Sequence, residues 1–234
     1  MKNQLLILLA LLFTFTLSAQ DKTIDLSSYN SVHVSEGIKV KMIKGDPKAE
    51  ITMHKGKLED VVVSQDGESI RIKFKKKKKI SWNSSNNRKV SIDLYFDGDI
   101  SEVAVSSGAL LQSDETFFSS DFECDASSGG TIDVRVESDD ADISVSSGAS
   151  IKISGEAKNL EVSVSSGATF KGKNLKSKSK SVDVDASSGA SATVWATDDI
   201  EADTSSGASI KYKGDPKNEN LDAGKWSGGS IRKL

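Results

Sequence analysis

Two groups of residues have types and spacing that could do chemistry. The first is a basic run, Lys75, Lys76, Lys77, Lys78 and Lys79, followed by Trp82 and then by Arg88 and Lys89. Concentrated positive charge beside an indole suits contact with an acidic glycan or with anionic head groups. The same lysines would also discourage pairing along an exposed strand. The second group is acidic and periodic. Glu102, Glu123, Asp142, Glu161, Asp183 and Glu201 each stand six residues before a glycine, Asp222 continues the row before Gly228, and Asp125, Asp185 and Asp203 follow two positions later. Stacked at strand spacing, carboxylates about 5 Å apart in water repel by somewhat under 1 kcal/mol per pair, which a solvated row tolerates. Oxygen-rich rows also attract calcium, so weak calcium binding by this column is the one metal expectation. No cofactor is expected.

Other chemistry is poorly provided for. His33 and His54 are the only histidines, and no cysteine or histidine spacing fits zinc. Cys124 is alone, so no internal disulfide forms, and its place in an apolar phase marks it as a small hydrophobe. Residues 21–100 carry 16 basic and 12 acidic side chains, whereas residues 101–234 carry 14 and 22. That acidic excess argues against a nucleic-acid surface on the second half.

Positioning these groups is the task of a repeat. S-S-G followed by a small residue recurs with glycine at Gly108, Gly129, Gly148, Gly167, Gly189 and Gly207, and a degenerate copy, Trp226-Ser227-Gly228-Gly229, follows. The intervals are 21, 19, 19, 22, 18 and 21 residues. Periods near twenty mark solenoids, whose units bury their apolar side only by stacking. Three residues before each glycine stand Val105, Ala126, Val145, Val164, Ala186 and Thr204, and two earlier stand Val103, Cys124, Ile143, Val162, Val184 and Ala202. Three residues after it, Leu111, Ile132, Ile151, Phe170, Ala192, Ile210 and Ile231 restart an apolar phase. Period-two alternation in segments rich in Val, Ile, Ser and Thr is a strand signal. Residues 101–234 are therefore predicted to form an all-β parallel β-helix, or β-solenoid, of about seven short repeats. S-S-G marks a corner where glycine can take positive φ.

Residues 21–100 lack S-S-G but alternate in the same way, as in Ile70-Ile72-Phe74 and Val90-Ile92-Leu94-Phe96. They are predicted to form an all-β N-terminal cap that covers the backbone edge of the first coil. Trp226 and the last residues are expected to do the same at the other end. Residues 1–20 have a charged start, an apolar run from Leu5 through Phe15 and a small-residue exit at Ser18-Ala19-Gln20. This describes a secretory signal peptide, after which no transmembrane span remains. Export to the periplasm, the outer cell surface or the medium is expected.

The V-S-S-G-A signature at Val105–Ala109, Val145–Ala149 and Val164–Ala168, with S-V-H-V-S-E-G-I-K-V-K at Ser31–Lys41, resembles the head GIN domain family of auto-transporter adhesins. The resemblance covers nearly all of the chain beyond the signal peptide. It implies a right-handed parallel β-helix in a cell-surface or periplasmic setting, and it brings no catalytic residues. The expected function is that of a non-catalytic binding or scaffold protein, an adhesin contacting a glycan, a cell-envelope protein or a second copy of itself. The alternative is a carbohydrate-active β-helix enzyme, a polysaccharide lyase or hydrolase. That reading needs a non-repeating set of carboxylates and a basic residue in a cleft, whereas the acids here recur in phase.

Overall fold

The structure is a computed structural model and describes residues 20–75, 88–224 and 227–234, with the backbone alone at residue 20 and at residues 176–180. The rest of the expected signal peptide, Lys76 to Lys79, Trp82 and Trp226 lie outside the described residues. Among the described residues, seventeen strands form one continuously hydrogen-bonded sheet wound into a solenoid. No helix among the described residues is long and apolar enough to cross a membrane.

Four long strands make the middle of the stack: β9 (Leu110–Ala126), β10 (Thr131–Val145), β11 (Ser150–Val164) and β12 (Thr169–Ala186). Each leaves one corner, bends, and arrives at the next. They pair in parallel, so that Ile132 lies between Leu111 and Ile151, and Ile143 between Cys124 and Val162. Side chains of one parity thus form continuous internal columns. Burial of each Val, Leu, Ile or Phe in them contributes about 1.5–3 kcal/mol. The uneven intervals are bulges rather than extra coils: Gln112 to Thr116 lies opposite Asp133 to Arg135, and Ser177 to Ser181 opposite Ala157 to Asn159. The last coils are divided among β13 (Ser191–Trp195), β14 (Asp199–Thr204), β15 (Ser209–Lys213), β16 (Asn218–Asp222) and β17 (Ser230–Lys233).

The corners are two-residue turns. The Ser106 carbonyl accepts the Ala109 N–H at 3.1 Å, and Ser107 and Gly108 both have left-handed backbones, with φ 53° and 71°. This is the type I′ turn, which matches strand twist and requires positive φ at both central residues. Glycine fits; serine does so at a cost of about 1–2 kcal/mol. Nevertheless Ser128, Ser147, Ser166, Ser188 and Ser206 repeat the conformation. A hydrogen-bond ladder along the stack opposes that cost. Gly129 donates to the Ser147 carbonyl, Gly148 to Ser166 and Gly167 to Ser188, each at 3.1 Å.

The N-terminal segment divides differently from the expectation of a separate cap over residues 21–100. β2 (Ser31–Val34) and β3 (Lys39–Lys44) form a complete coil whose corner, Ser35-Glu36-Gly37, has φ 64° at Glu36 and 74° at Gly37. β6 (Ser69–Phe74) and β7 (Lys89–Phe96) form a second coil, pairing in parallel with β2 and β3. On the other side, β8 (Glu102–Val105) and β9 pair with the same two strands. The solenoid therefore begins well before residue 101. Glu36 in the place of the second serine disguises the motif, since the left-handed position needs only a residue held there by its neighbours. Edge covering falls to three strands: β1 (Gln20–Asp25) on β4 (Lys48–Lys55), β4 antiparallel on β7, and β5 (Val61–Asp66) antiparallel on β6.

Candidate functional site

The strands that precede the corners carry the acidic column. Ser31, Glu102, Glu123, Asp142, Glu161, Asp183, Glu201 and Asn220 are consecutive partners across the stack. Hydrogen-bonding side chains close both ends. The Ser31 hydroxyl donates to Glu102 Oε2 at 2.7 Å, His33 Nε2 stands 3.3 Å from Glu102 Oε1, and the Asn220 amide donates to Glu201 at 3.0 Å. Asp222 does not continue this column. It pairs with Asp203, two positions along, because Ala223 and Gly224 lengthen the approach to the last corner. Among the described residues, no three His, Cys, Asp or Glu side chains converge on a point that could hold a metal ion. The column is a line with one carboxylate from each rung, and Asp125, Asp185 and Asp203 add a second on their own strands.

Crowding shows in their acidity. Burial, then Asp125, Glu102 and Asp142, push Glu123 above the ordinary glutamate value of 4.5. Burial, then Asp185, Glu201 and Glu161, push Asp183 above the ordinary 3.8. Asp125 and Asp203 are raised by burial first, and next by Asp142 and Asp185 respectively. A carboxyl with a higher pKa folded than unfolded makes the native state bind more protons between the two values. Stability then falls as pH rises through that window and returns as pH falls through it. The melting temperature is expected to rise as the protein is acidified from neutral towards the ordinary carboxylate range. Glu123→Gln with Asp183→Asn should weaken that rise. A melting temperature that instead drops steadily over the window would contradict the assignment.

Ser31, His33 and Glu102 invite comparison with a nucleophile, base and orienting acid. The geometry refuses it, because the hydroxyl (3.2 Å) and the carboxylate (3.3 Å) both approach the same ring nitrogen, Nε2. A relay needs the two ring nitrogens to face different partners. Cys124 is fully buried, and burial holds its thiol protonated.

The sheet that follows the corners has the opposite sign over its C-terminal coils. Residues 150–154, 169–173, β13, β15 and β17 include Lys152, Lys171, Lys173, Lys211, Lys213, Arg232 and Lys233 and no Asp or Glu. The facing strands, residues 140–145, 159–164, 181–186, β14 and β16, include no Lys or Arg. Net charge concealed this segregation, which becomes legible only when residues are sorted by sheet.

Of the basic loop, Lys75, Arg88 and Lys89 are described. The Lys75 N–H donates to the Asp60 carbonyl at 2.7 Å, the Arg88 guanidinium lies 3.9 Å from the Phe74 ring centroid, and Lys89 begins β7 exposed. The loop's described flanks, the end of β6 and the start of β7, lie where other coils have their S-S-G corner, and the Phe74 N–H donates to Glu36 Oε2 at 2.6 Å. The acidic column ends in the sheet at Ser31, whose next neighbour is Ser69.

Several solved structures share this fold at low sequence identity. A putative adhesin from Bacteroides fragilis superposes with a TM-score of 0.79 at 14% identity, covering 94% of this chain and 98% of that one. A putative lipid binding protein from Parabacteroides distasonis gives 0.65 at 15% identity, covering 94% and 98%. A putative adhesin from the same species gives 0.66 at 18%, covering 93% and 97%. No curated protein matches in sequence. With the V-S-S-G-A corners, the Ser31–Lys41 stretch and the stacked coils in place, a match over residues 28–216 shows that the chain belongs to the family described as putative auto-transporter adhesin, head GIN domain.

Proposed function

We propose that this protein is an exported, non-catalytic adhesin whose long regular faces contact a glycan or a cell-envelope protein. The observation that carries the reading is the regularity of its outward side chains. Two grooves run along the stack, one lined by repeated Ser and Asp, such as Ser163, Asp185 and Asp203, and the other by the acidic column itself. An active site needs a few unlike groups converging on one reacting atom; these grooves offer like groups in register. The basic segment from Lys75 to Lys89 is a further contact for anionic surfaces, and any calcium held by the acidic column would be weak and solvent-exposed.

The test is to incubate the purified exported protein with a panel of polysaccharides and with envelope fractions, following binding and product release in the same tubes. Retention without new reducing ends or unsaturated products is the expected result. Release of such products, abolished by changing a single carboxylate, would make the protein an enzyme.

A further inference from the structure

We propose that the sheet following the corners, from β11 to β17, is a binding strip for a linear acidic polysaccharide, engaged by Lys171, Lys211, Arg232 and Lys213. This rests on the non-catalytic binding reading and adds to it a surface and a ligand class. Lys171, Thr193, Lys211 and Arg232 are consecutive partners in register. Rungs lie about 4.8 Å apart, so Lys171 and Lys211 are about 10 Å apart and Arg232 about 5 Å beyond. Lys152 occupies the preceding rung but is held by Asp133 at 2.8 Å. Lys171, Lys211 and Arg232 have no ion pair with a described carboxylate. Beside them the Lys213 ammonium lies 3.8 Å from the Trp195 ring centroid, placing an aromatic surface within the strip.

The arrangement favours a rigid row of positive charge meeting a chain with repeated negative charge. Of the exposed large hydrophobic side chains, Phe118 and Leu221 lie outside these strand segments and Leu234 follows the end of β17, so the middle of the strip, at Lys171, Thr193 and Lys211, presents no large exposed aliphatic side chain to a bilayer. The facing sheet is uniformly acidic and would repel the same ligand, which confines a polyanion to one side of the molecule.

The probe is immobilised polygalacturonate at low salt, with the whole exported protein. The wild type should be retained and released by salt, because exposed charge pairs are screened within a Debye length of about 10 Å at 0.1 M. The triple variant Lys171→Thr, Lys211→Thr, Arg232→Thr extends the column already occupied by Thr193 with a good strand former, so its melting should match the wild type. It should bind about tenfold more weakly, as expected for losing several exposed charge contacts. A variant with Lys75 to Lys79 changed to serine should be retained more strongly than the triple variant, and the reverse order would assign the retention to the basic segment and overturn the strip. Equal retention of the triple variant and the wild type would overturn the strip, as would a wild type that flows through. Three further outcomes would also overturn it: tighter binding to phosphatidylglycerol vesicles, equal binding to double-stranded DNA, or salt-sensitive self-association that the triple variant abolishes. Degradation of the polygalacturonate would instead defeat the non-catalytic reading, whichever residues hold the chain.

Discussion

Replacing Gly155 by alanine is expected to destabilise the protein by more than about 4 kcal/mol, a large part of the 5–15 kcal/mol that holds a typical domain together. Gly155 lies within β11 with φ +114°, and a Cβ there would sit 2.0 Å from the Val136 carbonyl oxygen and 3.1 Å from the Val136 nitrogen. These are backbone atoms of the adjacent coil, to which Gly155 is the direct partner. The obstructing carbonyl cannot rotate aside without breaking the ladder. The comparison is Gly148→Ala, at a corner with φ +69°, where a Cβ meets nothing within 4 Å. Only backbone strain remains there, costing about 1–2 kcal/mol. Urea unfolding of the two variants decides the matter. Equal midpoints would mean that the coils are not stacked as closely at Val136 as described.

Phe117→Ala should cost about 3–5 kcal/mol, the usual penalty for emptying a buried aromatic site. Its ring is fully buried, edge-on to Phe96 at 5.5 Å and 6.4 Å from Phe122, and so joins the β6–β7 coil to the coils that follow. The neighbouring Phe118 points the other way and is 48% exposed. Phe118→Ala should stay within about 0.5 kcal/mol of the wild type. Denaturant midpoints for the pair test the phase of β9 immediately after its bulge. A reversed order would place the bulge on the other side of Phe117.

The repeat made the corners, the internal columns and the acidic row legible, because each follows from a glycine interval and an alternation of period two. Three things were not legible. Glu36 occupies a left-handed position that sequence patterns reserve for glycine or asparagine, so the first coil passed for part of a cap. Gly155, outside the motif, is the crowded glycine, while the Cβ positions of corner glycines such as Gly148 face open space. The charge segregation needs the knowledge that Lys211 and Glu201 lie on different sheets. Spacing along the chain does not convey this until the corner between them is placed. The stacking of the acidic row follows from the repeat, apart from the displacement of Asp222. The strip of Lys171, Lys211 and Arg232 has no motif of its own, because these residues form a row only once their strands are stacked.

The first coil in sequence is not the first coil in space. β2 and β3 are flanked on one side by β6 and β7 and on the other by β8 and β9, so the chain must travel out and back before either flank exists. The contact between Ser31 and Glu102 closes a loop of 71 residues, whereas a later rung such as Asn159 on Asp140 closes one of 19. Loop-closure entropy makes the longer closure costlier by about 1 kcal/mol. Assembly is therefore slowest at the N-terminal end, where three distant segments must meet without a template. From β9 onward each coil adds to a finished edge over a short closure, and the stack grows one rung at a time towards β17.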